Sequence, residues 1–577
     1  MQRYSLVSVL LLAACPSPDE DSCNTSAECL NGHVCQGGTC IRNDSLGSSG
    51  GISSSGVATS SSTGHSGGTS SSSADLCAGA SCPLGCNPAT GQCRTPSDIA
   101  QQAYLKASNN RREGRFGYSV ALSADGNTLA AGALSESSGA TGVNGNQADI
   151  SAPWSGAVYV FTRTGVTWTQ QAYLKASNAE SNESFGSSVA LSADGNTLAV
   201  GATGEDSGAT GVGGSQADNS AESSGAVYVF TRSGGTWTQQ AYVKASNTDA
   251  LDYFGSPLVL SADGSTLAAG ALGEASHATG INGDQGDNSF GFAGAVYVFT
   301  RSEGTWAQQA YIKASNTLAN ASFGGAISLS SDGNTLAAGS QGERSSATGV
   351  NGNQADTSAV NAGAAYVFTR SNGTWTQQAY LKASNADVGD YFGAPLSLSA
   401  DGTLLAVGAH GEGSRATGVN GDQDDDSTVE AGAVYVFTRS NGTWMQQAYV
   451  KASNTEAEDN FGGRVALSAD GTLLAVQAWG EDGAATGING NQADNSTDFG
   501  GAVYLFARTD GAWTQQAYVK ASNTGAGDQF GSALALSADG STLAAATYVE
   551  DSSGTGVNGN QPNDDAMESG AVYVFTL

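Results

Sequence analysis

The run Phe116-Gly117-Tyr118-Ser119-Val120-Ala121-Leu122-Ser123-Ala124-Asp125-Gly126-Asn127-Thr128-Leu129-Ala130-Ala131-Gly132-Ala133 decides the fold. Two short stretches flank Ser-Ala-Asp-Gly, a tight-turn sequence whose glycine supplies the positive φ that a hairpin needs. Neither stretch shows a helical period, so the run reads as a β-hairpin. Working outward, it returns every 69 residues without an insertion. Phe-Gly recurs at Phe116, Phe185, Phe254, Phe323, Phe392, Phe461 and Phe530, and the turn Asp at Asp125, Asp194, Asp263, Asp332, Asp401, Asp470 and Asp539. The Tyr of an Ala-Val-Tyr-Val-Phe run keeps step from Tyr159 to Tyr573. Self-similarity on this scale signals a solenoid or a propeller.

Each copy offers four strand-like runs, in the first copy Phe116–Ser123, Thr128–Ala133, Ala157–Arg163 and Trp168–Ser177. Seven such units predict an all-β, seven-bladed propeller of four-stranded blades over residues 98–577. The chain ends test this. The seventh copy stops at Thr576-Leu577, one run short, and the missing run, Gln101 to Ser108, precedes the first Phe-Gly. Pairing that run into the last blade closes the ring and removes exposed strand edges. An open solenoid would need capping repeats instead.

The residues ahead of the repeats differ in kind. Arg3, the apolar Leu6–Leu12 and the small residues before Cys15 read as an export signal over 1–14, too short to span a bilayer. Leu12-Ala13-Ala14-Cys15 resembles the lipobox of bacterial lipoproteins, which implies lipid attachment at Cys15. Pro16 after that cysteine implies the outer membrane of a Gram-negative cell. Nine cysteines less Cys15 leave two groups of four: Cys23, Cys29, Cys35, Cys40, then Cys77, Cys82, Cys86, Cys93. In an exported chain such even groups read as disulfides of open connectivity, with zinc as the competing reading. The expected layout is a Cys-rich module over 15–43, a Ser/Gly-rich flexible linker over 44–75 and a second Cys-rich module over 76–97. The first module is similar to Cys-rich modules of myxobacterial lipoproteins.

Phe185-Gly186 opening one strand and Gly201-Ala202 ending the next resemble FG-GAP repeats, the units of the integrin α-chain propeller. The Trp-Thr-Gln-Gln-Ala-Tyr, Lys-Ala-Ser-Asn and Ala-Val-Tyr-Val-Phe elements look closer still to bacterial FG-GAP proteins. The resemblance implies an innermost Phe-Gly strand, closure by the N-terminal strand and a role in adhesion. Two departures limit it. No copy has the Pro of Gly-Ala-Pro, and Ser-Ala-Asp-Gly offers one carboxylate where calcium wants about six to eight oxygens. Integrin-type calcium at that turn is therefore not carried over.

The formal net charge of −31 leaves no clustered cations for nucleic acid or anionic lipid headgroups. It suits solubility, divalent cations or basic partners. The long connection between the second and third runs, Leu134 to Ser155 in copy one, is the natural place for ligand recognition. A Glu recurs in it, followed by a polar box. The richest sets, Glu274, Asn282, Asp284, Asp287 and Glu412, Asn420, Asp422, Asp425, are candidate calcium ligands, with bonding to the loop's own backbone as the alternative. Residues that break the symmetry, Arg111, Arg115, Trp154, His277, His410 and Trp479, are candidate ligand-binding positions. The repeated Trp168 and its equivalents read as packing anchors, and the repeated Lys106, Lys175 and equivalents as solvated outer-strand positions.

Four histidines, none repeating, and no G-x-S-x-G or H-E-x-x-H motif within the repeats argue against an enzyme. The expected function is adhesion or recognition of an extracellular protein or polysaccharide by a monomer. A propeller enzyme acting on polysaccharide or phosphoester at the channel mouth and a structural envelope protein are the rivals.

Overall fold

In the computed structural model the described residues are 33–36, 39–42 and 93–577. The expected export signal, Cys15, the 44–75 linker and most of both Cys-rich modules lie outside them. His33–Gln36 and Thr39–Arg42 pair as an antiparallel hairpin. Cys93 is disulfide-bonded.

The repeats build seven antiparallel sheets of four strands. In blade one these are Phe116–Leu122, Thr128–Ala133, Ala157–Thr164 and Thr167–Leu174, in spatial order from first to fourth. The seventh sheet takes Ala533–Leu536, Thr542–Thr547 and Ala571–Thr576 from the C-terminal end and Ala100–Leu105 from the N-terminal end. Tyr104 stands opposite Tyr573 across this junction, with a bulge between Gln101 and Ala103. The expected closure is the observed one.

The local chemistry of the first hairpin is the same in every blade. Gly126 has φ +63°. Asp125 Oδ1 accepts from Ser123 Oγ (2.5 Å) and from the Asn127 N–H (3.0 Å), while Ser123 Oγ accepts from the Thr128 N–H (2.9 Å). The Asp thus holds its own turn. Successive turns are then chained: the Ala124 N–H donates to the Ala193 carbonyl, Ala193 to Ala262, and so on through Ser331, Ala400 and Ala469 to Ala538, whose N–H returns to Ala124 at 2.9 Å. Seven such bonds form a closed circle.

The apolar core lies between blades. Seven clusters of buried side chains each join residues of two neighbouring blades, including the junction of blades seven and one. Within each, the Phe of Phe-Gly meets the blade's Tyr edge-on, as in Phe116–Tyr159 at 5.4 Å. Near the axis the backbones touch. A Cβ on Gly132 would lie 2.1 Å from the Gly186 carbonyl oxygen of the next blade, so the Gly of Gly-Ala is required by that close approach. At the opposite face, Trp168 is 2 % exposed and lies under the Arg163 guanidinium (5.4 Å). Both donate to Gln102 Oε1 of the adjoining blade, at 3.0 and 3.1 Å. The repeated tryptophans are packing anchors between blades.

The long connection does two things. Its middle folds over the exposed side of the fourth strand: Val143 bridges to Leu174, and Asn144 exchanges bonds with Tyr173 through its N–H (2.7 Å) and Oδ1 (2.9 Å). That covers an edge which would otherwise invite strand addition. The connection's first residue, at Gln341, His410, Trp479 and Tyr548 in the later blades, lies beside the central channel.

Candidate functional site: the channel mouth at blades five to seven

The repeated lysines are not solvated. Lys106, Lys175, Lys244, Lys313, Lys382 and Lys451 have fully buried side chains, each ion-paired at 2.6–2.9 Å with the recurring loop Glu of its blade. A lysine facing inward from the outer strand needs a countercharge, and the loop Glu supplies it. In blade three Lys313 Nζ donates to Glu274 Oε2 (2.6 Å), Tyr311 OH to Glu274 Oε1 (2.7 Å) and Asn247 Nδ2 to Glu274 Oε1 (3.3 Å). Asn247 belongs to the Lys-Ala-Ser-Asn segment entering from blade two and also accepts from Tyr297 OH (2.6 Å). That segment therefore ties one blade's lysine to the next blade's carboxylate.

This network disperses the candidate calcium ligands. Glu274 and Glu412 are bound to Lys313 and Lys451. Asn282 and Asn420 accept from the N–H groups of Tyr311 (2.9 Å) and Tyr449 (3.0 Å), and Asp284 and Asp422 from those of Gly286 (2.9 Å) and Asp424 (3.1 Å). Asp287 contacts His277 Nδ1, and Asp425 faces Arg415 at 3.8 Å. Among the described residues no group of three or more His, Cys, Asp or Glu could hold a metal.

The six symmetry breakers also separate. Arg111 donates to the carbonyls of Gln147 (3.4 Å) and Ala148 (3.3 Å), and Arg115 pairs with Glu568 (2.7 Å) across the junction of blades seven and one. Trp154 is 55 % exposed with φ +59°, a strained setting for a bulky side chain. Phe292 and Phe499 occupy the same ring position in blades three and six, with φ +54° and +53°. His410 and Trp479, in contrast, meet in one cavity.

That cavity, of about 430 Å³, is lined by Gly325, Gln341, Ala394, His410, Gly463, Arg464, Gln477, Trp479, Gln529, Ser532 and Tyr548. It shares Gly325, Ala394 and Arg464 with a second space of about 360 Å³ lined by first-strand residues of all seven blades, which is the central channel. The positions are repeat positions. Gln341, His410, Trp479 and Tyr548 each follow a second strand, where blades one to three carry Leu134, Thr203 and Leu272. Arg464 stands where the other blades have Ser119, Ser188, Pro257, Ala326, Pro395 and Ala533. Gln477 replaces the close-approach glycine. Lining up the copies would have found all three; reading single residues found only His410 and Trp479.

Three aromatic walls face this space, each backed by a second ring. Trp479 stacks on Phe499 (5.9 Å, 15°), His410 on Tyr391 (5.0 Å, 3°), and Tyr548 meets Tyr118 (5.3 Å, 60°). Arg464 donates from Nε to the Ser532 carbonyl (3.0 Å) and from Nη1 to the Gly463 carbonyl (3.1 Å). No ion pair among the described residues includes it. Burial, and then the Arg464 charge, push His410 down to about 4, so its imidazole is neutral at pH 7.

Comparison with known proteins adds the following. The FG-GAP repeat family matches residues 168–230, 375–437 and 444–506. No curated protein matches the sequence. Similar solved structures include hydrazine synthase of Kuenenia stuttgartiensis, with 13 % identity over 79 % of this chain and 97 % of that one, at a TM-score of 0.44. A putative 6-phosphogluconolactonase from Bacteroides uniformis shares 14 % identity over 68 % of this chain and 85 % of its own, at 0.40. The β-propeller domain of Cps50 (Swd1) from Myceliophteria thermophila shares 10 % over 83 % and 100 %, at 0.42. The matched segment 168–230 runs from the fourth strand of one blade through the third strand of the next, the same offset that lets the N-terminal strand complete blade seven. With the first strand of each blade innermost around a closed ring of seven, this chain is a seven-bladed β-propeller in which three segments match the FG-GAP repeat.

Proposed function

We propose that the protein is a recognition module, displayed outside the cell on a lipid-anchored stalk, that holds an extracellular polysaccharide or protein on the face bearing the channel mouth. The observation that carries this reading is where the seven-fold regularity fails. Core and turn positions repeat almost unchanged, whereas aromatic, amide and guanidinium side chains gather at the channel mouth of blades five to seven. A fold needs the regular positions; a specific ligand needs the irregular ones.

Binding is favoured over turnover by the chemistry of the lining. A general base works best with a pKa near the working pH. His410, the one imidazole in the cavity, is held at about 4 and pressed flat on Tyr391. Exposed Trp154, Phe292 and Phe499, all in left-handed backbone on the same ring, extend the contact surface outward.

The full chain, presented to a panel of extracellular polysaccharides and matrix proteins, is expected to retain at least one of them. The triple variant W154S/F292S/F499S should lose that retention tenfold or more. Serine is the residue that blade two carries there, as Ser223. Retention of nothing, or retention indifferent to the triple variant, would overturn the reading.

A further inference from the structure

We infer that the channel mouth at blades five to seven is a binding site for a carboxylated sugar, in which Arg464 takes the carboxylate and Trp479 the face of the ring. This deepens the recognition reading and rests on it; Phe499 of the outer ring backs Trp479, whereas Arg464, Gln477 and His410 belong to this site alone.

Charge argues first. The chain carries a formal −31, yet no carboxylate lines this cavity, and its one formal charge is Arg464. Both hydrogen bonds of that guanidinium go to carbonyl oxygens, which position it without neutralising it. A planar fork of donors matches a carboxylate in two-point contact. A single cation balances a single negative charge and leaves a phosphate dianion under-compensated.

Shape and polarity argue next. About 430 Å³ lies within the usual range for small-molecule sites, roughly 300–1,000 Å³. Trp479 is held from behind by Phe499, so its ring is a fixed wall and little side-chain freedom is lost when a ligand arrives. The remaining functional groups are those that pair with hydroxyls. Gln477 donates to the Gln529 carbonyl at 3.4 Å and its Oε1 lies over Gly463, while neutral His410 keeps both a donor and an acceptor nitrogen. A simple aromatic acid would leave those amides unmatched.

Calorimetric titration of the full chain with sodium glucuronate, glucose, benzoate and inorganic phosphate tests the assignment. Glucuronate should bind at least tenfold more tightly than each of the other three. Arg464→Ser, which installs the residue of blades one and two, should leave the melting temperature in place and bring glucuronate to within twofold of glucose. Trp479→Leu, as in blades one and three, should weaken both sugars. Arg464→Lys should keep part of the preference for glucuronate.

The inference is overturned by equal binding of glucuronate and glucose, by a preference that survives Arg464→Ser, by tighter binding of benzoate or phosphate, or by no heat from any of the four. If glucuronate fails while the outer ring still retains its polymer, this site assignment falls alone. If no polymer is retained but glucuronate still depends on Arg464, the site stands and the adhesion reading falls.

Discussion

Blade six and its six siblings share one plan and differ in how far they follow it. In the siblings the buried lysine is paired with its loop Glu, and in blade six Lys520 Nζ has no hydrogen-bond partner. The sequence difference peculiar to this blade is Gly483, where the siblings have Ser138, Ser207, Ser276, Ser345, Ser414 and Ser552. Gly500 replaces Ser155, whose Oγ accepts from Lys175 (2.6 Å), but Ala293, Ala362 and Ala431 stand there in blades whose lysine stays paired. Glu481 keeps the bonds its siblings accept from the fourth-strand Tyr and the incoming Asn, here Tyr518 OH (2.8 Å) and Asn454 (2.7 Å), and accepts from Tyr504 OH (2.9 Å) in place of the lysine. The outer clamp lapses too: Trp513 Nε1 and Arg508 Nε lack partners, and Gln447 donates to the Gly511 carbonyl (3.1 Å). The same blade supplies Arg464, Gln477 and Trp479 to the cavity. The comparison teaches that six regular blades hold the ring firmly enough for one to relax its structural bonds and carry the site.

The largest effect should come from a cut that ignores this difference. Deleting residues 100–105 removes the outer strand of blade seven and leaves an open edge, and cooperative melting should be lost in calorimetry. Next comes a matched pair of lysine changes. Lys382→Met strands the buried Glu343 and should cost about 3–5 kcal/mol by denaturant titration. Lys520→Met removes an amine without a hydrogen-bond partner and should cost less than about 1 kcal/mol or stabilise. Equal costs would erase the contrast between blades.

Dependence on pH sharpens it further. Burial, the dominant cause, holds Asp252, Asp390, Asp459 and Asp528 up at about 7 and Glu183 at about 8. Their stabilisation is complete below the unfolded value near 4 and is lost as pH rises through 7–8, so the melting temperature should fall between pH 5 and 8. Burial pushes Lys520 down to about 8 against an ordinary 10.5. Between those values the unfolded chain binds the extra proton, so stability should recover as pH rises above 8, and Lys520→Met should shrink that recovery.

Smaller effects follow. Trp375→Phe gives up the indole bond to Gln309 (3.0 Å) and the stacked Arg370, at a cost of about 1–2 kcal/mol, while Trp513→Phe should cost under about 0.5 kcal/mol. Gly500→Ser should return a partner to Lys520, because its side chain would begin 3.1 Å from Nζ, and should raise stability by about 1 kcal/mol.

What the sequence by itself determined is what depends on local chemistry repeated at one period. Ser-Ala-Asp-Gly makes a hairpin wherever it stands, seven copies demand a ring, and the displaced Gln101–Ser108 run locates the seam. Trp168 and its equivalents were legible as anchors because a large apolar ring in a strand seeks burial. The tertiary structure alone decided what depends on partners far apart in the chain. Lys313 sits on an amphipathic outer strand and reads as solvent-facing until Glu274, 39 residues earlier, is seen folded against it. The polar box around Asn282 reads as either a cation loop or a self-bonded one, and only the fold shows its side-chain oxygen accepting from the Tyr311 N–H. The cavity itself escaped for the same reason: lining up the copies marks His410, Arg464, Trp479 and Tyr548 as irregular, but they are dispersed over three copies, and only the packing of consecutive blades brings them to one opening.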